Sequence, residues 1–166
     1  MAFVRILREH DAQLRALVSR LIGSRDEMDD VMQEAAIKAF RSLPGFRGDA
    51  ALGTWLHRLT YTTCVDYLRR HRDLEALPTG PDSEPASTDE DPAEIVDRRV
   101  AFAALLAGLS TEQRAAVVLV DEQGLDYGTA AGILGIPVGT LASRLAAARA
   151  ILRNALRPEA PSEGGS

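Results

Sequence analysis

The stretch from Leu125 to Leu145 constrains the fold most, because it places a tight turn between two helical segments. Asp126 is a residue type that caps the start of a helix. Gly135 suits the left-handed conformation that ends one, and Pro137 then resists continuation. Two short helices joined by such a turn have the layout of a helix-turn-helix, a common DNA-binding motif. The segment therefore predicts a helical fold with a nucleic-acid-reading surface.

The second of these helices is amphipathic but poor in charge. Apolar residues at helical spacing predict its buried stripe: Leu141, Leu145, Ala148, Leu152 and Ala155. A helix that contacts phosphates usually carries several cations on its free face. Here that face is largely Ser and Ala, flanked by Arg144 and Arg149.

The net charge of −5, from 19 basic and 24 acidic residues, is distributed unevenly. Residues 73–97 hold nine acids and no Lys or Arg, so the rest of the chain is net basic. The composition predicts an all-α fold of two small helical domains, 1–72 and 93–157. A flexible acidic linker, 73–92, joins them, and a disordered tail follows at 158–166.

Three helices are predicted in the first domain. The first ends near Gly23, and the second stops at the turn 43–45. The second helix has a predicted buried stripe of Met28, Val31, Met32, Ala35, Ala39 and Phe40. The third runs from about Thr54 to Arg70, with Thr54 as its predicted cap. In the second domain, Ser110 begins a helix through a capping box with Gln113.

Several protein classes are disfavoured by the composition. No apolar run approaches the ~20 residues that span a membrane, and no signal-peptide pattern opens the chain, so we expect a cytoplasmic protein. The single cysteine, Cys64, cannot form an internal disulfide and is expected to be an inert buried thiol rather than a redox sensor. Three scattered histidines form no metal-ligand cluster, and no nucleophile–base set is apparent. We expect neither a cofactor, nor a metal, nor catalytic activity.

Two blocks of the sequence resemble extracytoplasmic-function (ECF) sigma factors. Residues 29–40, 46–49, 54–59 and 66–70 resemble region 2 of that family, and residues 124–153 resemble region 4. Both blocks, in this order around a linker, are far more specific than a lone helix-turn-helix. The resemblance implies a bacterial initiation factor that brings core RNA polymerase to promoters and starts DNA melting.

The resemblance also implies partners. They are core RNA polymerase, through its β′ and β subunits, promoter DNA, and an anti-sigma factor that holds the protein inactive, with no membrane insertion. The implied polymerase-binding residues share one polar stripe of the second helix: Asp30, Gln33, Glu34 and Lys38. A solvated amphipathic face is the alternative interpretation of that stripe. The acidic linker would either suit basic polymerase channels or act as a solubilising tether.

The loop after the second helix, with the helix that follows, resembles the family's reader of the −10 promoter element. A base taken from the stack needs an aromatic or apolar pocket and nearby cations. The implied residues are Phe46, Arg47, Gly48, Asp49, Arg58, Tyr61, Thr62, Arg69 and Arg70. Phe46 and Trp55 could instead be core residues, and the arginine pair could stabilise a helix C-terminus. The family often has Arg and Asn where Tyr61 and Thr62 stand, so we expect a different −10 preference.

The helix after Pro137 resembles the family's reader of the −35 element. The implied residues are Pro137, Thr140, Ala142, Ser143, Arg144, Ala147 and Arg149. Many members have Lys or Arg where Ala142 and Ala147 stand, so we expect weak, shape-driven binding here. This neutral helix also supports an alternative, a sigma-like decoy that sequesters an anti-sigma factor without contacting DNA. A dimeric helix-turn-helix repressor is a third possibility.

Overall fold

The computed structural model describes residues 2–75 and 101–157, and every regular element in these ranges is helical. The first lobe contains α1 (Ala2–Ile22), α2 (Arg25–Ser42), a 3₁₀ turn (Leu43–Gly45) and α3 (Leu52–Glu75). The second lobe contains helical residues 101–107 (α4), α5 (Thr111–Val117), a π-helical turn (Val118–Glu122), α6 (Tyr127–Leu134) and α7 (Val138–Ala155). The predicted all-α fold is confirmed. The tail and most of the predicted linker lie outside the described residues.

Local signals at the helix ends behave as predicted. The Ser110 hydroxyl accepts from Gln113 N–H at 3.1 Å, and the Gln113 side chain accepts from Ser110 N–H in return. The Asp126 carboxylate accepts from Thr129 N–H at 2.9 Å. Gly135 ends α6 with φ of 66°. These caps hold α6 and α7 at 96° to one another, a helix-turn-helix geometry.

No single helix among the described residues is both long and apolar enough to cross a membrane. Only α6 and α7 taken together reach the length and apolar composition of a membrane span, and this pair is bent by 96° at its turn.

Three details differ from the sequence predictions. Trp55 N–H donates to the Ala51 carbonyl at 3.0 Å, so α3 begins at Leu52 and Thr54 lies inside its first turn instead of capping it. The same helix continues through residue 75, three residues past the predicted domain boundary. Phe40 is 67% exposed, because the stripe of α2 is carried by Val31, Ala35 and Ala39.

Ala155 is also exposed, at the far end of the predicted α7 stripe. The N-terminal part of that stripe, from Leu141 through Ala148, is buried as predicted, and Leu152 is partly buried. The helix leaves the protein body at its C-terminal end, where nothing described covers Ala155.

A close approach fixes the start of α3 against α1. A Cβ at Gly53 would lie 2.5 Å from the His10 ring, a distance that only glycine avoids. His10 in turn stacks edge-on to His57, with ring centroids 6.1 Å apart. The N-terminal end of α3 therefore packs closely on α1, and α3 also contacts α6 of the second lobe.

The two lobes share one hydrophobic core. A small cluster of Leu14, Ala39 and Leu56 belongs to the first lobe alone. The large cluster runs from α1 and α3 into α5, α6 and α7; its members include Leu17, Leu21, Tyr61, Cys64, Leu119, Ile133, Leu141 and Leu145. We call the contact of α5, the π-helical turn and α6 with α1 and α3 the seam. Each lobe therefore depends on the other to cover part of its apolar surface.

Candidate functional site

An open pocket lies beneath the loop that joins the 3₁₀ turn to α3. It encloses about 340 Å³, and its lining consists of Gly45, Phe46, Arg47, Asp49, Ala50, Thr54, Trp55, Arg58 and Gly132. We call it the loop pocket. Gly48 shapes the loop above it with φ of 76°, a left-handed conformation that disfavours any side chain. Four predicted −10 residues, from Phe46 to Asp49, therefore lie on or beside one cavity.

The chemistry of the loop pocket suits a flat, unpaired ring. The Phe46 and Trp55 rings are 5.2 Å apart between centroids and inclined at 48°, so they form an angled aromatic wall. Both are half-buried and accessible from the pocket. The exposed guanidinium groups of Arg47 and Arg58 stand on the lining. Aromatic faces with adjacent cations are the combination that binds single-stranded bases and their phosphates.

Tyr61 and Thr62, predicted to line this pocket, lie elsewhere. Tyr61 is only 8% exposed and sits in the seam. Burial there raises the pKa of its phenol, with a further contribution from Glu112 of the second lobe. Thr62 is exposed in an adjacent cleft lined by Trp55 and Arg58, where its hydroxyl donates to the Leu59 carbonyl at 2.9 Å.

The predicted polymerase-binding and phosphate-binding residues meet in one ion-pair network. Glu34 of α2 accepts from Lys38 at 2.8 Å and from Arg70 of α3 at 3.0 Å. The Lys38 hydrogen bond, and then that of Arg70, hold the pKa of Glu34 below its ordinary value. Asp66 joins the network through Arg69 at 3.0 Å and Lys38 at 3.9 Å. Any partner of α2 that engages Glu34 will therefore also change the pairing of Arg70.

The other two residues of the predicted polymerase stripe are solvent-exposed. Asp30 lies on the outer face of α2. Gln33 lines a shallow groove between α1 and α2, beside an ion pair in which Arg15 bridges Asp11 at 2.9 Å and Asp29 at 3.1 Å. The stripe is thus at least partly accessible along its length, with two acidic residues, one neutral amide and one lysine.

The predicted −35 face of α7 is accessible but nearly neutral. Pro137, Thr140, Ala142, Ser143 and Ala147 are all exposed. The hydroxyl of Ser143 donates to the Gly139 carbonyl at 3.1 Å.

The two predicted −35 cations are less accessible than these neutral residues. Arg149 donates to both carboxylate oxygens of Asp121, at 2.6 and 3.1 Å, and this pairing raises its pKa. Arg144 is half-buried, close enough to Tyr61 to act on its pKa. Neither guanidinium is presented freely to solvent on α7.

Sequence reasoning missed several surface features. Trp55 is interpreted from the sequence as a core residue, yet its half-buried ring lines the loop pocket. Gly132 lies on α6 and reaches the loop pocket only because the lobes pack together. Ile37 and Phe40 are 46% and 67% exposed, beside the polar stripe of α2, and Phe40 contacts the ring of Phe3. Only tertiary structure reveals that these two apolar side chains face outward.

Two other kinds of site to consider are a reactive thiol and a metal centre. Burial raises the pKa of Cys64 to about 12, so its thiol is protonated at neutral pH and a weak nucleophile. Among residues 2–75 and 101–157, no group of three or more His, Cys, Asp or Glu side chains is placed to bind a metal.

Each lobe matches a known family model. The family model for sigma-70 region 2 matches residues 6–73, and that for sigma-70 region 4 matches residues 99–152. The ECF RNA polymerase sigma factor SigM of Mycobacterium tuberculosis is 39% identical over 155 residues, covering 93% of this chain and 77% of SigM. The ECF sigma-E factor of Escherichia coli is 34% identical over 168 residues, covering 95% and 87%.

Two solved structures resemble the fold. The sigma factor RpoE in complex with the anti-sigma factor NepR, from Bartonella quintana, superposes with a TM-score of 0.74 and 26% identity, covering 96% of this chain and 99% of RpoE. CnrH in complex with the cytosolic domain of CnrY superposes with a TM-score of 0.69 and 25% identity, covering 93% and 87%.

Proposed function

The chain belongs to the ECF group of the sigma-70 family, and from this premise we propose that it brings core RNA polymerase to promoters and begins DNA melting. The family identified from the sequence is confirmed by matches to both lobes in order. The observation that carries the mechanism is the loop pocket, in which aromatic rings and cations stand together.

In this proposal the first lobe captures an unpaired base of the −10 element. The Phe46 and Trp55 rings supply the stacking wall, and Arg47 and Arg58 neutralise adjacent phosphates. Gly48 keeps the loop in the conformation that leaves the cavity open. Because a base must leave its stack to enter, occupancy of the pocket favours the melted strand over the duplex.

Core polymerase binds through α2 in this proposal, with the coiled coil of the β′ subunit meeting Asp30, Gln33, Glu34 and Lys38. The exposure of Asp30 and Gln33 supports that assignment. The exposed side chains of Ile37 and Phe40 continue the same surface, so the docking face combines a polar stripe with an apolar edge.

The second lobe reads the −35 element through α7. Its exposed neutral face fits the groove without strong phosphate pairing, so tethering to polymerase supplies much of the effective affinity. Arg149 contributes to DNA only after it exchanges Asp121 for phosphate.

An anti-sigma factor holds the chain inactive in this proposal. The similar RpoE structure contains the anti-sigma factor NepR, the CnrH structure contains the cytosolic domain of CnrY, and each superposition covers the two lobes together. A protein with this role acts in the cytoplasm, has no catalytic activity of its own and requires no cofactor.

Transcription with purified core polymerase tests the proposal. The template is a fragment library of the genome that encodes the chain, and mapped 5′ ends reveal whether transcripts start at shared sequence elements. We expect such starts with the full chain and none with core alone. A decoy, favoured by the neutral Ala142 and Ala147, would yield no specific starts while still binding an anti-sigma factor. That result would overturn the proposal.

A further inference from the structure

Two side chains of the second lobe cross the seam from one unusual turn. Residues Val118–Glu122 form a single π-helical turn, closed by the Gln123 N–H donating to the Val118 carbonyl at 2.9 Å. Single π-helical turns are rare and occur frequently at functional sites. This one delivers Glu122 and Gln123 to the surface of α1.

Glu122 forms a forked ion pair with Arg20 of α1. Arg20 donates from Nη2 at 3.2 Å and from Nε at 3.3 Å, one bond to each carboxylate oxygen. Both side chains are less than a third exposed, at 23% and 28%. The Arg20 guanidinium also lies 4.7 Å above the ring of Phe102 in α4. A forked, partly buried pair stacked on an aromatic ring holds its geometry better than an exposed pair.

Backbone acceptors of α1 receive two further bonds from the second lobe. The Gln123 amide donates to the Gln13 carbonyl at 2.9 Å. Arg114 donates to the Arg20 carbonyl at 3.3 Å while capping two carbonyls of its own lobe at 3.0 and 3.1 Å. Burial lowers the pKa of Arg114, although its guanidinium stays charged. These bonds fix one position of the second lobe on α1, which apolar packing alone would not do.

Closure of the seam covers residues that the family resemblance implies for both promoter elements. Tyr61 of α3 is buried, with Glu112 and Arg144 of the second lobe beside it. Gly135, in the helix-turn-helix turn, lies near Arg58: a Cβ built there would be 4.0 Å from the Nη2 atom. Tyr61, a −10 candidate, and Arg144, a −35 candidate, therefore lie close to each other in this arrangement.

A polar contact also crosses the seam near the start of α3. The Gln123 side chain forms a hydrogen bond with His57, and His57 Nδ1 is engaged with the Gly53 carbonyl at 2.8 Å. Burial lowers the pKa of His57, and these two hydrogen bonds act against that shift. Residues 76–100 connect the two lobes.

We infer that the π-helical turn is a latch that holds the two lobes closed in the free chain, with Glu122 on Arg20 as its main contact. Closure withholds Tyr61 and Arg144, so the chain must open before both lobes engage a promoter. The latch is a property of the chain alone, and only its consequence for DNA rests on the proposed function.

Small-angle X-ray scattering of the full chain tests the latch through a charge swap. Glu122→Arg places two cations against each other and should increase the radius of gyration. Arg20→Glu/Glu122→Arg restores an opposite pair and should return the radius to the wild-type value. Glu9→Arg makes the same charge change on the exposed outer part of α1, where Glu9 pairs with Arg5 at 3.8 Å, and should leave the radius unchanged.

Circular dichroism establishes that each variant keeps its helices. If Glu122→Arg loses helical content, Gln123→Ala is the deciding variant, because it removes only the amide bond to Gln13. An unchanged radius in the folded reversal variant, or in Gln123→Ala when that variant decides, would overturn the latch. So would a wild-type chain already as extended as Glu122→Arg.

Binding to a fluorescent promoter duplex that contains both elements tests the consequence, because the loop pocket is already open in the closed chain and only joint engagement by both lobes requires opening. We expect roughly threefold or more tighter binding by Glu122→Arg, reversed by the swap, because apparent affinity scales with the fraction of open chain. A larger radius without tighter binding would show that closure does not withhold the DNA-binding residues, leaving the latch itself in place. Absence of binding by every form, wild type included, would count against the proposed function and not against the latch.

Discussion

The two lobes differ in the kind of surface that they offer to DNA. The first offers a shaped cavity with aromatic walls and exposed arginines, and it has a hydrophobic cluster of its own. In the second, the proposed DNA face is nearly neutral: Arg149 is engaged by Asp121, Arg144 is half-buried near the seam, and Arg153 is exposed toward the C-terminal end of α7. The buried residues of the second lobe belong to the shared core. Under the proposed function, this difference means that the first lobe discriminates by capturing a base, whereas the second depends on being positioned by the polymerase.

Leu145→Ala in α7 tests whether the shared hydrophobic core couples the two lobes. Leu145 is fully buried in the shared cluster, so we expect a loss of roughly 2–5 kcal/mol in the free energy of unfolding. Because that cluster spans both lobes, thermal unfolding should stay a single transition at a lower midpoint. Scanning calorimetry measures both. Val138→Ala, on the same helix but 49% exposed, is the matched control. A split into two transitions, one at the wild-type midpoint, would show that the lobes fold independently.

The base-capture role of the first lobe is tested by Phe46→Ala. Stacking of a base on an aromatic side chain is worth about 1–3 kcal/mol, so open-complex formation should fall between about 5-fold and 150-fold. Permanganate reactivity of the melted −10 strand is the readout, with holoenzyme assembled from the full chain. Phe46→Tyr retains the ring face and should melt DNA nearly as well. Equal melting by the alanine and tyrosine variants would remove Phe46 from the stacking wall.

Sequence reasoning succeeded where the physics is local. The Ser110 and Asp126 caps and the left-handed Gly135 each depend on residues within one helical turn, and all three are confirmed. Family resemblance then supplied the identity and the order of the lobes.

Features that depend on distant residues escaped prediction. The Glu34–Arg70 ion pair joins residues 36 positions apart, and the burial of Tyr61 depends on a second lobe 50 residues further along. Periodicity predicts which face of a helix is apolar but not which element covers that face. Phe40 is therefore predicted to be buried, although α2 buries only a narrow stripe. The π-helical turn has no simple sequence signature.

The neutrality of the second lobe is tested by Ala142→Lys. Ala142 is exposed on the proposed DNA face, so a lysine there should add one phosphate contact. The slope of log affinity against log salt should steepen by roughly 0.9, which corresponds to about 3.5-fold in affinity per fourfold change in salt. Titration of holoenzyme on a −35 fragment at several salt concentrations measures it. The same substitution at Ala104, exposed on α4 and away from α7, is the control. An unchanged slope would show that Ala142 does not face the backbone.

The smallest expected effect comes from releasing the arginine that the second lobe already has. Asp121→Asn removes the charge that holds Arg149, while the amide oxygen can still accept one hydrogen bond. The pair is partly exposed, at 42% and 37%, so unfolding should be easier by no more than about 1 kcal/mol. Arg149 should then pair with phosphate more readily, steepening the salt dependence by less than Ala142→Lys does, because its charge already acts on the DNA. Stability and affinity should therefore move in opposite directions. If both fall together, Arg149 is a structural residue that orients α7 and does not pair with phosphate.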